Sequence, residues 1–127
     1  AYTVSDEQVG NEAKHMFDND INTRYSVEGA GNQAVLDLKY VQQVDEIAVA
    51  WYLGDTGRQY YFTVSVSEDG VNYTQVFDGM SSGQTNDFEH FEIGKTARYI
   101  KLGLNGNNTG SGENWNGICE FVAVRNN

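Results

Sequence analysis

Apolar and polar residues alternate along several short segments of the chain. The segments are 34–39, 47–51, 62–67, 99–104 and a final β-rich run at 118–125. Such alternation places one row of side chains against a core and the other row outward. Glu68, Asp69 and Gly70 form a turn signal between two of these runs, because glycine adopts positive φ easily. Short strands separated by such turns predict an antiparallel sandwich or barrel.

Helix signals are weak. Only the segment Glu12 to Phe17 predicts a helical turn, and the Gly/Asn-rich stretch Asn105 to Asn116 predicts a long loop between two strands. We find no linker, internal repeat or low-complexity tract, and therefore predict one all-β domain over residues 1–127, with its two terminal segments side by side. Loops held by a rigid β scaffold often carry binding residues.

Composition supports a folded protein with an acidic surface. The 127 residues suffice for one domain with a real core, and 39% of them are hydrophobic. Eighteen acidic against eight basic residues give a net charge of −10, which argues against nucleic acid and anionic membranes as partners. An anionic ligand at a local basic spot stays open, because screening acts over about 8–10 Å.

The single cysteine, Cys119, allows no internal disulfide and lies in an apolar run, where we expect a buried small side chain. No run approaches the ~18 consecutive apolar residues of a membrane-spanning helix. The chain begins at Ala1 without a signal-peptide pattern, and we expect a mature or excised module.

The segment FDNDINTRY concentrates oxygen-bearing side chains. Asp18, Asp20 and Asn22 stand at alternate positions, as at the start of an EF-hand loop. The sixth and twelfth positions hold Thr23 and Gly29 instead of the required Gly and Glu. Oxygen donors favour a hard cation such as Ca²⁺, and no Cys/His set for zinc is present. The alternative is an Asx-rich turn with solvated carboxylates.

Five segments in order carry a family resemblance. FDNDINTRY resembles a "DG-x-x-x-T-x-W" loop, and FTVSVSEDGVNYTQV resembles "V-S-x-D-G-x-x-W-x-x-V", with Tyr73 for the usual Trp. AVLDLKYVQQVDEIAVAWY, ARYIKL and WNGICEFVAV match strand segments of the same family. The chain is similar to discoidin domains, also called coagulation factor V/VIII C-type domains, whose bacterial sugar-binding members form carbohydrate-binding module family 32. This resemblance implies an eight-stranded jelly-roll β-sandwich.

The resemblance also implies a structural calcium site. By position, backbone carbonyls would come from His15, Asp20 and Cys119, side-chain carboxylates from Asp18 and Glu120, and a hydroxyl and carbonyl from Thr23. Asn19 stands where the family prefers Gly, but asparagine tolerates the left-handed conformation, so the turn can form.

Family members bind sugars with loops at one end of the sandwich. An aromatic ring packs on the apolar face of a sugar, and polar side chains bind its hydroxyls. Trp115 is the best candidate platform, and its neighbours Glu113, Asn114 and Asn116 are candidate polar contacts. The alternative is that Trp115 folds back to close the sandwich. Trp51 lies in strand phase with apolar residues, and we expect it in the core.

Two arginines are candidate ligands for an acidic sugar. The fork of Arg58 suits a carboxylate or vicinal hydroxyls, although Arg58 could instead pair with Asp55. Arg24 is a candidate for the same contacts with a carboxylate or hydroxyls. The combination of Y-x-G-D-x-x-R and N-x-W-N resembles discoidin-type modules appended to alginate lyases and other polysaccharide-degrading enzymes, and this favours a uronate-containing polysaccharide.

Three tyrosines complete the candidate ligand set. Tyr25 occupies the position of the family's tryptophan, and we interpret it first as a structural plug and second as a ligand contact. Tyr52 and Tyr60 flank the Arg58 loop and are further candidates for contact with a sugar.

The sequence contains no G-x-S-x-G, H-E-x-x-H or P-loop motif. We therefore expect no catalysis. The resemblance implies a module that targets an appended polysaccharide-degrading enzyme to its glycan. The expected protein is bacterial and secreted, and the module is a monomer linked covalently to a catalytic domain. Two alternatives stay open: an adhesion domain that binds a protein or lipid, and a module for neutral galactose-type sugars. Polar loop tips and the acidic charge disfavour a membrane role.

Overall fold

Seven strands and one short helix make up the fold of the described residues. The computed structural model describes residues 1–110 and 112–126. The strands are β1 (Tyr2–Val4), β2 (Tyr25–Glu28), β3 (Asn32–Trp51), β4 (Tyr60–Ser67), β5 (Thr74–Met80), β6 (Glu89–Asn107) and β7 (Trp115–Val124). A 3₁₀ helix spans Ala13–Phe17, where the sequence predicts a helical turn. Within the described ranges, no helix has the length and apolar character needed to cross a membrane.

The two long strands belong to both layers of a β-sandwich. The first part of β3 pairs with the last part of β6, which also pairs with β4, and β4 pairs with β5. The second part of β3 pairs with the first part of β6 and with β7, which pairs with β2. Register shifts in the β3–β6 ladder, between Asp37 and Gln42 and between Val44 and Glu46, allow this change of partner.

The predicted all-β sandwich is therefore confirmed, with seven strands where the resemblance implied eight. The count differs because the segments predicted at 34–39 and 47–51 are parts of one strand, β3. The bend between them includes Lys39 at φ 79°, a residue type that gives no turn signal.

An aromatic cluster fills the core between the layers. Trp51 and Phe62 lie 4.8 Å apart between ring centroids, and Phe62 also contacts Phe77 and Phe91 at 4.9 and 5.0 Å. Trp51 is 1% exposed, which confirms its predicted core position. Burial of each such side chain contributes roughly 1.5–3 kcal/mol.

The predicted turn after β4 is present. Gly70 has φ 77°, and the Asp69 carboxylate accepts hydrogen bonds from the backbone N–H groups of Val71 and Asn72 at 2.8 Å. The predicted loop from Asn105 to Asn116 is shorter than expected, because β6 continues to Asn107 and β7 begins at Trp115.

The first and last strands of the described chain do not pair with each other, so the terminal segments are not neighbours in the sheet, contrary to the prediction. β1 pairs with β3, while β2 pairs with β7. Phe17 packs between β1 and β7, since its ring centroid lies 5.0 Å from that of Tyr2 and 6.2 Å from that of Phe121. This arrangement brings residues 18–28 beside the start of β7, where the candidate site residues lie.

Candidate functional site

A concave site, here called the arginine recess, lies where β2 and β7 meet the loops around β4. Its volume is about 190 Å³. The residues that line it are Gln8, Arg24, Ser26, Tyr52, Arg58, Tyr60, Trp115, Asn116 and Gly117. β2 explains part of this set, because Tyr25 and Val27 are buried in the core and the alternate positions 24 and 26 face the recess. The structure thus gathers six predicted ligand residues, Trp115, Arg58, Arg24, Tyr52, Tyr60 and Asn116.

Arg24 is held in place without a carboxylate partner. Its guanidinium carbon lies 4.0 Å from the centroid of the Tyr52 ring, a cation–π contact. Its Nε donates a hydrogen bond to the Ser26 hydroxyl at 2.9 Å. The ion pairs found among residues 1–110 and 112–126 do not involve Arg24, and no described residue accepts a hydrogen bond from its Nη atoms. Both Nη groups are therefore available to a ligand.

Arg58 also lacks an acidic partner. The pairing with Asp55 considered above does not occur in the described part of the chain. Instead Arg58 Nη1 lies 3.4 Å from the Tyr60 hydroxyl, which donates to the Tyr52 carbonyl at 2.6 Å. Burial raises the pKa of Tyr60, so this phenol stays neutral.

The recess is consequently a basic spot on an acidic protein. Two guanidinium groups line it, and none of its lining residues is an Asp or a Glu. The chain as a whole carries −10. This local charge favours an anionic group in the recess.

Trp115 forms a wall of the recess. It is half-buried, and it stacks on none of the aromatic rings paired within the described residues. Its backbone is fixed, because its N–H donates to the Gly112 carbonyl at 3.0 Å and its carbonyl accepts from the Asn107 amide at 2.8 Å. The indole therefore offers a positioned apolar surface at the recess.

Asn116 has a structural role that the sequence did not indicate. Its side chain is buried, its Oδ1 accepts from the Gly106 N–H at 2.7 Å, and its Nδ2 donates to the carbonyls of Val27 and Gly29. These bonds use the amide to join β2, β6 and β7. Asn116 also lines the recess, and its role as a ligand contact stays a prediction.

Tyr25 is also structural. It is 0% exposed, and its hydroxyl donates to the Asp6 carbonyl at 2.7 Å. The plug interpretation is confirmed, and the ligand-contact interpretation is wrong because no part of Tyr25 is accessible. Burial raises the pKa of this phenol, which stays protonated.

Glu113 and Asn114 lie outside the arginine recess. Both are exposed, and their backbone carbonyls accept hydrogen bonds from the N–H groups of Asn107 and Gly29. The structure thus places them beside Trp115 in sequence but not among the lining residues.

Three lining residues were missed in the sequence. A Cβ on Gly117 would lie 2.9 Å from the Tyr52 Cβ and 3.2 Å from the Tyr60 hydroxyl, so glycine lets both tyrosines approach β7. Ser26 could have been found, since it is a polar residue between the apolar Tyr25 and Val27 in β2. Gln8 carries no local signal, because only the tertiary fold brings it to the recess.

The predicted cation loop folds beside the recess. The Asp20 N–H donates to Asp18 Oδ1 and to Glu120 Oε1, both at 3.0 Å, and the Thr23 hydroxyl donates to Asp18. Asn19 has φ 58°, which confirms that asparagine supplies the left-handed turn. Residues a hundred positions apart in the chain are thus joined here, as the sequence predicts.

Two carboxylates with different environments meet in this loop. Burial, together with the hydrogen bond to Asp18, raises the pKa of Glu120 to about 7. The hydrogen bond from Thr23 lowers the pKa of Asp18. Glu120 is only 6% exposed and has no basic partner among the described residues, and such a pair of acids is stabilised by a cation.

The remaining implied donors are nearby, but their role rests on the resemblance. His15 lies in the 3₁₀ helix and its Nδ1 is 3.0 Å from the Arg24 carbonyl, while Cys119 precedes Glu120 in β7. Burial raises the pKa of the Cys119 thiol to about 11. In residues 1–110 and 112–126, no three His, Cys, Asp or Glu side chains are grouped to hold a metal. The donor set of two carboxylates, a hydroxyl and backbone carbonyls fits Ca²⁺ by chemistry.

Comparisons with known proteins identify one matching family and several similar structures. The model of the F5/8 type C domain family matches residues 1–121. The CBM32 of AlyQ in complex with 4,5-unsaturated mannuronic acid superposes with a TM-score of 0.91 at 35% identity, over 99% of this chain and 95% of that one. Truncated AlyQ with CBM32 and alginate lyase domains gives 0.86 at 36% identity, over 99% of this chain and 32% of that one.

A pectin-binding carbohydrate-binding module is also similar. Its TM-score is 0.88 at 26% identity, and the match covers 98% of this chain and 89% of that one. A comparison with curated proteins finds no match.

Proposed function

Because the chain belongs to the F5/8 type C domain family and, within it, to the CBM32 carbohydrate-binding modules, we propose that it binds a uronate-containing polysaccharide through the arginine recess. The observation that carries this proposal is the convergence of Arg24 and Arg58, neither paired with a carboxylate, in a recess with aromatic walls. The module binds without turnover and holds an appended polysaccharide-degrading enzyme on its substrate.

The recess offers what a uronate unit needs. A guanidinium group binds a carboxylate through two parallel hydrogen bonds, and Arg24 is already oriented by Tyr52 and Ser26. Arg58 supplies a second cation for the carboxylate or for a neighbouring hydroxyl. Trp115 gives the apolar sugar face a surface to pack on.

The similar structures support the same ligand class. Mannuronic acid, named for the AlyQ module, carries a carboxylate at neutral pH, and pectin is rich in uronate. AlyQ joins its CBM32 to an alginate lyase domain, and alginate is accordingly the polysaccharide we favour for this chain. The proposed context is a secreted bacterial enzyme that carries the module as one of its domains.

We also propose that Ca²⁺ binds the loop of residues 18–23. Asp18, Thr23 and Glu120 would hold it together with the carbonyls of His15, Asp20 and Cys119. The ion supplies charge that stabilises the two carboxylates and performs no chemistry on the sugar. By fixing this loop it would also fix Arg24, the next residue in the chain.

A panel of glycans tests the proposed function. The protein is applied to alginate, polygalacturonate, a neutral galactan and vesicles containing phosphatidylserine, and we expect retention on the acidic polysaccharides alone. Product assays on the same polysaccharides are expected to show no cleavage. Retention only on galactan would favour the neutral-sugar alternative, and retention only on vesicles would favour the lipid-binding one.

Replacement of Trp115 by alanine is expected to weaken uronate binding about tenfold or more. The loss corresponds to roughly 1–3 kcal/mol of buried aromatic surface in the complex. The melting temperature should fall little, because Trp115 is only half-buried and belongs to none of the core ring pairs. Affinity is measured by titration calorimetry and stability by a thermal melt.

Tyr40→Ala is the matched control, since Tyr40 is 68% exposed and lies outside the recess. This variant should bind like the wild type. If Trp115→Ala instead loses stability and keeps its affinity, Trp115 is a core residue and the binding wall must lie elsewhere.

A further inference from the structure

A second recess lies beside the arginine recess and shares two of its residues. Its volume is about 280 Å³, and Arg24 and Tyr52 line both sites. Because these two side chains stack on each other at 4.0 Å, they form one wall between the two sites. A ligand that extends past this wall therefore passes from one recess into the other.

The rim of the second recess combines apolar and polar groups. Ile21 and Leu53 are 41% and 39% exposed, although both are large aliphatic residues. Asn22 and Asn86 also line the site, and no described residue hydrogen-bonds to either side-chain amide. Apolar surface beside unused amides suits a sugar ring, which has an apolar face and a hydroxyl edge.

Trp51 contributes to this recess from the core side. It is 1% exposed, and its indole N–H has no acceptor among the described residues. A buried donor without a partner is uncommon in proteins. An acceptor that enters the recess, such as a sugar hydroxyl or the water it carries, would satisfy this group.

The loop that forms the outer wall is hydrogen-bonded to Thr85 and strained at Leu53. Leu53 has φ 55°, a conformation that is costly for a bulky side chain. Glycine is needed at position 54, because a Cβ there would lie 2.3 Å from the Thr85 carbonyl oxygen. The Thr85 N–H donates a hydrogen bond to the Gly54 carbonyl at 3.0 Å and so holds the loop in place. Strain retained in a fixed loop is typical of ligand-binding positions.

We infer that the second recess receives the sugar unit adjacent to the uronate in the arginine recess, so that the module recognises at least two consecutive units. This inference rests on the proposed function. Each recess is smaller than the roughly 300–1,000 Å³ of pockets for drug-sized ligands, which suits one sugar ring in each. Asp55 lines the second recess, and its charge favours a hydroxyl edge of the second unit over its carboxylate.

The inference is tested by varying the length of the sugar ligand. Mannuronic acid and its dimer and trimer are titrated into the protein and followed by NMR chemical shifts. The wild type is expected to bind the dimer about tenfold more tightly than the monomer, because the second unit adds contacts at no second cost of association. The trimer should gain little more.

Two substitutions test whether the second recess provides the higher affinity for the dimer. Leu53→Gly removes an apolar wall at a backbone conformation that glycine tolerates, and Asn86→Ala removes an unused amide. The double variant should bind the dimer no better than the monomer and keep the monomer affinity of the wild type. Asn105→Ala is the control, since Asn105 is exposed and lines neither recess.

The outcomes separate the two proposals. A wild type that binds monomer and dimer equally overturns the second sugar site and leaves the arginine recess standing. The second sugar site is also overturned if the double variant binds monomer and dimer with equally reduced affinity, or if it still binds the dimer more tightly than the monomer. If no uronate binds the wild type, the proposed function and this inference are both wrong.

Discussion

Replacing Arg24 by alanine is expected to weaken the binding of an oligouronate by about 100-fold. Two charge-assisted hydrogen bonds contribute roughly 1.5–3 kcal/mol each, and each 1.4 kcal/mol is a factor of ten. Arg24 also lies 4.0 Å over Tyr52 and lines both recesses, so its loss affects the whole ligand surface. Calorimetric titration with an alginate oligomer measures the change.

Two further variants sharpen this result. Arg24→Lys keeps the charge but loses the planar fork, and an intermediate affinity is expected if bidentate recognition matters. Arg125→Ala removes the same charge from an exposed residue that lines neither recess, and should bind like the wild type. Equal losses in the Arg24 and Arg125 variants would mean that net charge alone attracts the ligand.

Removal of calcium is expected to lower the melting temperature by on the order of 10 °C. A ligand bound only by the folded state stabilises by about 2.7 kcal/mol at a hundredfold excess over its Kd. In a domain of this size each kcal/mol shifts the midpoint by a few degrees. Thermal melts with a chelator and with added Ca²⁺ give the difference directly.

The Asp18→Asn variant should abolish this calcium response, since it replaces an implied ligand without a large loss of packing at an exposed position. Asp78→Asn is the matched control, because Asp78 is exposed and has no ion pair in the described structure. Glu120→Ala is less informative, because loss of a buried side chain destabilises the fold with or without metal. A melting temperature that changes neither with chelator nor with added Ca²⁺ would contradict the proposed calcium site.

The β architecture was predictable because alternation is a local property of the sequence. The segment 62–67 has Phe62, Val64 and Val66 buried, as its pattern requires. Joining of the segments 34–39 and 47–51 into β3 was not predictable, because the bend near Lys39 depends on pairing with β6 rather than on a glycine or proline. Tertiary pairing thus decided where one strand ended and the next began.

The site was predictable where a residue's chemistry is unusual for its surroundings. A tryptophan in a polar loop and arginines in an acidic chain identified Trp115, Arg24 and Arg58. The structural role of Asn116 was not predictable, because an asparagine beside Trp115 can bond a sugar or the backbone, and only the fold shows that its amide joins three strands. Gln8 reaches the recess through the fold alone.

The most direct test of uronate recognition compares an alginate oligomer with the same oligomer after chemical reduction of its carboxyl groups. Both ligands have the same length and ring faces, and only the charged group differs. Calorimetry should show the acidic form binding about tenfold or more tightly, with a difference that shrinks as salt is raised. Equal affinity for the two forms would contradict the assignment of Arg24 and Arg58 to the carboxylate.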